Sequence, residues 1–244
     1  MKKRLILSLL SAVLISANIN YSSVDALTLP IRSVNSGYTI TKPDAQITID
    51  DVKKSLNISD GIEKEIVDTL QFQIKIDENW DNLKVDKDMD LYNSTGKSIG
   101  KPGDILIAVF DDDNTDINAI TMGSITTHAA MVDSDPTKVL EVFPDGVQNR
   151  ENDWRTRYKK ILILRPKTNE ETIKGAIEYG HTKINTPFNY DLFNKTTTDK
   201  FYCSQFVWRC YFNNGLDLDR NGGLAVFPYD FISHKTTIVY KQGE

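Results

Sequence analysis

Hydrophobic and polar positions follow three textures along the chain. Leu5 to Ala17 is apolar apart from serines, and Lys2, Lys3 and Arg4 stand in front of it. From residue 48 to about 83, apolar residues recur at helical spacing among charges. Thr48 to Asn57 predicts a short helix, with Thr48 as N-cap and Asp50 and Asp51 in its first turn. Asp60-Gly-Ile-Glu63 has capping-box spacing ahead of Ile66, Val67 and Leu70, which predicts a second helix. From Gly103 onward, short apolar runs separated by Pro and Gly predict strands over 104–110, 128–132, 138–143, 160–165 and 236–240. Thr168-x-x-Glu171 opens a predicted helix to about Thr182, and Phe201 to Phe212 reads as a helix closed by Asn213-Asn214-Gly215.

Strands first, then helices, then a final strand predict an α+β fold with an antiparallel sheet packed by helices. The expected layout is a leader over 1–26, a mostly helical region over 27–89 and a larger α+β domain over 90–244. The basic start, apolar stretch and small residues at Val24-Asp25-Ala26 have the three-part layout of a secretory signal peptide. The apolar stretch is shorter than the roughly 20 residues of a spanning helix. The protein is therefore expected to be secreted or held at the cell surface.

At 244 residues, 26% charged and 40% hydrophobic, the chain is long enough to bury a proper core. Its net charge is −5, and without residues 1–26 it becomes −7. That balance, with no long basic run, argues against nucleic acid as a partner.

Two cysteines remain for an exported chain, Cys203 and Cys210. On one helix they would stand about 10.5 Å apart along the axis, beyond the roughly 4.4–6.8 Å that a disulfide spans. Both are expected to be free thiols. Cys203 falls where the helix begins, and the unpaired N–H groups of a first turn favour a thiolate. Cys210 lies at the other end of the dipole and is expected to be a packing residue. A thiol nucleophile needs an imidazole base. His181 ends a predicted helix, His234 precedes the last strand, and His128 opens a strand of small and apolar residues.

Gly103-Asp104-Ile-Leu-Ile-Ala, then His128-Ala-Ala-Met-Val, then Phe201-Tyr-Cys-Ser-Gln-Phe-Val together resemble the NlpC-type papain-like superfamily. With the histidine first and the cysteine last, the order resembles its circularly permuted YaeF/YiiX-like branch. Glu141-Val-Phe-Pro-Asp-Gly-Val147, Leu164-Arg-Pro166, Pro187-Phe-Asn-Tyr190 and Val226-Phe-Pro-Tyr-Asp230 add to the likeness, which spans about residues 96–244. The resemblance implies a permuted papain-like fold with Cys203 as nucleophile and His128 as base. It also implies a third polar residue from the strand beside the histidine strand. Glu141, the polar residue amid Val139, Leu140, Val142 and Phe143, is the candidate, against an ordinary solvent-facing role. Tyr190 fits the position of a tyrosine that faces the site and touches substrate. The Cys203 N–H is expected to help form an oxyanion hole.

The expected activity is that of an exported cysteine amidase or peptidase acting on cell-wall peptides or related small amides. A second reading is an acyltransferase or acyl hydrolase on a membrane lipid, with the same thiol. A third is a binding module that kept the fold and lost turnover. No cofactor and no metal is expected. Ser94-Thr-Gly-Lys-Ser98 lacks the first glycine of a phosphate loop, and Asp111 to Asp116 lacks the glycine of an EF-hand. Asp217-x-Asp219-x-Asn221-Gly222 opens like a calcium loop, but Pro228 stands where the closing glutamate belongs. Arg155-x-Arg157-x-Lys159-Lys160 reads as a solvated strand approach or a dock for an anionic polymer.

Overall fold

The computed structural model describes residues 20–21, 46–47, 60–87, 96–109 and 127–243. The leader apart from Asn20 and Tyr21, the 48–57 helix and the 111–116 acidic run lie outside the described residues. Among the described residues, no helix is long and apolar enough to cross a membrane.

Six strands form one antiparallel sheet: β1 (Ile105–Val109), β2 (Thr127–Val132), β3 (Lys138–Phe143), β4 (Gly146–Glu151), β5 (Lys160–Pro166) and β6 (Thr236–Gln242). Their spatial order is β4-β3-β2-β1-β5-β6. A separate two-residue parallel pair joins Asn20–Tyr21 to Gln46–Ile47. The helices are α1 (Asp60–Glu78), the single turn α2 (Trp154–Arg157), α3 (Glu170–His181) and α4 (Cys203–Phe212). The α+β architecture with an antiparallel sheet is thus as the apolar runs predict.

Alternation along the strands sorts the core into two layers. Ile105, Ile107, Met131, Leu140, Leu162 and Leu164 join Phe206, Val207, Cys210 and Tyr211 of α4 in one cluster. Leu106, Ala130, Val132, Val139 and Ile163 join Trp154 and Tyr158 in the other. With buried residues on both faces, the central strands read as continuous apolar runs rather than alternating ones.

Two elements depart from the expected pattern. β4 was not foreseen: Gly146–Glu151 is an edge strand whose outer residues are polar, so little apolar periodicity marks it. It turns back on β3 through Pro144-Asp145, with Phe143 opposite Gly146. Gly146 has φ +90, and a Cβ there would lie 2.4 Å from the Thr186 carbonyl oxygen. Helix α3 is capped by Asn169 rather than Thr168. The Asn169 side chain accepts a hydrogen bond from the Thr172 N–H at 2.8 Å, satisfying a donor that Thr168 is one residue too early to reach.

Gly103-Asp104 acts as a clasp between layers. Gly103 has φ +80, and a Cβ there would sit 2.4 Å from Ile173. Its carbonyl accepts from the Tyr211 hydroxyl of α4. Asp104 is gripped at both oxygens by Arg165, at 2.8 and 2.7 Å. That is the bidentate geometry in which a buried carboxylate is best held.

Helix α1 packs on the segment leading to β6, and Ile76 and Trp80 share the first core cluster. Its buried polar stripe, Glu65, Thr69 and Gln73, follows a spacing of four. Glu65 accepts from the Leu224 and Ala225 amides, each at 2.7 Å. Arg220 pairs with Asp68 and lies over the Phe72 ring.

Candidate active site

Cys203 is the first residue of α4, and Phe201 ahead of it is held by main-chain bonds to the 187–189 strand segment. Gln205 fixes the helix start. Its Oε1 accepts from the Tyr202 N–H at 3.1 Å and from Asn189 Nδ2 at 3.0 Å. Ser204 donates its hydroxyl to the Val226 carbonyl at 2.7 Å, and the Val226 N–H donates to the Tyr202 hydroxyl at 2.9 Å. Segment 224–226, clamped on its other side by Glu65, therefore buttresses both residues that flank the thiol.

His128 is the second residue of β2. By strand parity it shares a face with Ala130 and Val132, and Glu141 on the neighbouring strand shares a face with Val139. The two side chains meet: His128 Nε2 lies 3.0 Å from Glu141 Oε2. The Cys203 thiol lies close enough to the same imidazole for each group to shift the other's ionisation. Cys203 keeps 4% of its surface exposed, His128 3% and Glu141 none. Phe143 and Trp154 bracket the imidazole, with ring centroids 4.4 and 5.5 Å away. The predicted cysteine, histidine and glutamate thus form one chain of contacts from three separate elements.

The electrostatics favour an ion pair. Burial opposes charge on Cys203, but His128 and the backbone N–H groups of Ala129 and Ser204 outweigh it and lower the thiol's pKa. Burial also opposes charge on His128, yet hydrogen bonds and charge from Cys203 and Glu141 raise it to about 9. Glu141, for which burial is again the largest opposing effect, is kept below its ordinary value by His128 and Arg157. All three shifts favour thiolate, imidazolium and carboxylate together.

The remaining predicted positions separate clearly. Tyr190 is 70% exposed and its ring lies 4.8 Å from that of Phe188. The chain order places it two residues beyond the Phe188–Phe201 bridge, as Cys203 is two beyond Phe201. His181 ends α3 and pairs with Asp133 at 2.7 Å. His234 precedes β6 and offers its carbonyl to Lys167. Cys210 is buried against Gly180, and both cysteines are free thiols. The Asp217 turn spends its oxygens internally. Asp217 accepts from the Trp208 indole at 2.9 Å, and Asp219 accepts from the amides of Asn221 and Gly222 and pairs with Lys195.

Three residues at the site went unrecognised in the sequence: Trp154, Gln205 and Arg157. Gln205 sits three residues after the N-cap and so carries a readable capping signal. Arg157 follows Asp153 at helical spacing, but its bond to Glu141 crosses between elements and leaves no local trace.

A family model described as "permuted papain-like amidase enzyme, YaeF/YiiX, C92 family" matches residues 100–229, just over half of the chain. This chain belongs to that family. The match includes His128, Glu141 and Cys203, and stops short of α1 on one side and of β6 on the other. At family level it indicates a cysteine hydrolase. Bacillus subtilis (strain 168) has a similar protein, the uncharacterized protein YycO, 27% identical over 109 residues. That similarity covers 42% of this chain and 44% of YycO, so it spans less than half the length of this curated relative. Among solved structures, a metalloprotein, yiiX, from Escherichia coli O157:H7 is similar at a TM-score of 0.45 and 17% identity. It covers 59% of this chain and 98% of the other.

Proposed function

We propose that the protein is an exported cysteine amidase that cleaves amide bonds in cell-wall peptides or related small peptides. The observation that supports it is the unbroken contact chain from Cys203 through His128 to Glu141. In this reading the Cys203 thiolate attacks the carbonyl carbon, and the Cys203 N–H, at the free first turn of α4, donates to the oxygen as it gains charge. The C–N bond then breaks as His128 delivers its proton to the leaving amine. Water, deprotonated by His128, cleaves the thioester and releases the carboxylic acid. Glu141 holds the imidazole in the tautomer and orientation that both steps need. Tyr190, exposed beside Phe188, offers a ring face to the substrate.

Export is carried by the layout of residues 1–26, and the cell-wall substrate class follows from export together with amidase family membership. The test is incubation with purified cell-wall stem peptides, read as newly formed amine groups. Cys203→Ala should remove the signal. Amine release that persists unchanged in Cys203→Ala would refute the mechanism.

A further inference from the structure

Of the basic cluster 155–160, Lys159 is exposed, and the other three side chains are engaged within the fold. Arg155 lies over the Tyr240 ring, with 5.2 Å from guanidinium carbon to centroid. Lys160 lies over Trp80 at 4.5 Å. Arg157 turns inward toward Glu141.

Arg157 is the last residue of the one-turn helix α2, and all three of its guanidinium nitrogens are engaged. Nη1 donates to Glu141 Oε1 at 2.8 Å. Nε donates to Asp153 Oδ1 at 2.7 Å, and Nη2 to the Glu151 carbonyl at 3.0 Å. Its side chain is 26% exposed, whereas that of Glu141 is fully buried. The two oxygens of Glu141 are therefore divided: Oε2 faces His128 and Oε1 faces Arg157. Arg150 stands further off, with Nε 3.9 Å from Oε1 and Nη2 paired with Asp145. The same turn brings Trp154 and Tyr158 against the His128 ring.

A buried carboxylate held by one cation alone has two ways to fail. It can take up a proton, or it can rotate away from the imidazole. A guanidinium fixed to Asp153 and Glu151 blocks both, because it supplies a second charge and a second directional bond. We infer that Arg157 is a positioning residue for the thiol–imidazole pair, acting through Glu141 to keep that carboxylate ionised and aimed at His128. The inference rests on the proposed roles of Cys203 and His128. It makes α2 a functional element, with the β4–β5 connection supplying the support for the base.

The groups facing this chain are His128, Arg157, Arg150 and Tyr158 around Glu141, Asp153 behind Arg157, and Cys203 beyond the imidazole. Removing the Arg157 charge stabilises every protonated form along it, so the thiol should ionise at higher pH. The test is the pH dependence of iodoacetamide alkylation of Cys203, followed by mass spectrometry in a Cys210→Ala background. Arg157→Met should move the acid limb upward by about one unit, a roughly tenfold slower reaction on that side. Arg157→Lys restores a charge without the fork and should recover the larger part of the shift. Thermal melting of both variants checks that each is folded at the pH of the assay.

A Met profile that coincides with the parent would overturn the inference, as would a Lys variant that recovers nothing. A parent that itself shows a single rise near 8.5, the value of a free thiol, overturns instead the thiol–imidazole reading on which the inference stands.

Discussion

Cys203 and Cys210 share one ten-residue helix and are almost equally buried, at 4% and 0% exposure. Their surroundings are opposite. Burial raises both thiols, but only Cys203 meets groups that reverse the effect: the His128 imidazole and the amides of Ala129 and Ser204. Cys210 sits among Phe206, Tyr211 and Leu140, and burial drives its pKa far above the ordinary value with only weak opposition from its own backbone and Lys183. Degree of burial therefore does not decide which thiol ionises more readily. What separates them is the polarity aimed at the sulfur, and here that polarity comes from the first turn of a helix and from the end of a strand.

Several substitutions sharpen this contrast. The largest effect is expected from Cys203→Ala, which should cut turnover of stem peptides by at least about 10⁴-fold. Cys210→Ala should leave turnover intact and cost on the order of 1 kcal/mol of stability, read as a lower melting temperature. Equal losses of turnover in the two variants would erase the comparison.

A smaller effect is expected from Glu65, which supports the cysteine end of the helix from outside the region matched by the family model. Glu65→Ala strands the buried Ala225 amide, worth about 1–3 kcal/mol without a partner, and frees the Leu224 amide, whose residue is exposed enough for water to replace the bond. It should lower both the melting temperature and turnover, with Glu65→Gln falling in between because its amide oxygen still accepts one bond. A melting temperature unchanged in Glu65→Ala would dissociate α1 from the site.

Tyr190→Ala is expected to do least. Loss of one exposed aromatic contact, about 1 kcal/mol, should raise KM roughly fivefold and leave kcat unchanged. A fall in kcat alone would give Tyr190 a different role.

The pair also makes a prediction about pH. His128 is raised to about 9, so its contribution to stability is complete below its unfolded value and lost as pH rises through about 9. Cys203 is lowered, so its contribution is complete above its unfolded value and lost as pH falls through the folded one. Between roughly 6.5 and 8.5, the unfolded values, folded and unfolded chains each hold one proton on the pair. The pair's contribution should be flat there and decline on both sides. Melting curves of the parent minus those of Cys203→Ala across pH should show that plateau.

How much of this was readable beforehand differs between the layers of the molecule. β1, β2, β3 and β5 announce themselves as apolar runs, because both faces of the central sheet are covered. β4 hides because an edge strand can be polar, as in Gln148-Asn149-Arg150-Glu151. Cys203 could be singled out by its place at a helix start, and His128 by its place on a strand. Glu141 was legible as a charge set amid Val139, Leu140, Val142 and Phe143; the β2–β3 register, with Ala130 opposite Glu141, brings it near His128. Arg157 was seen only as one of a group of basic residues. Its meaning depends on which carboxylate stands across a sheet edge, and local spacing carries no record of that.

The most direct test of the central claim is the rate of Cys203 alkylation by iodoacetamide from pH 4 to pH 10, with Cys210 replaced by Ala. A thiolate formed beside an imidazolium predicts a reaction already on a plateau at neutral pH, followed by a second rise near pH 9 as His128 gives up its proton. One sigmoid centred near pH 8.5, with no plateau before it, would contradict the account.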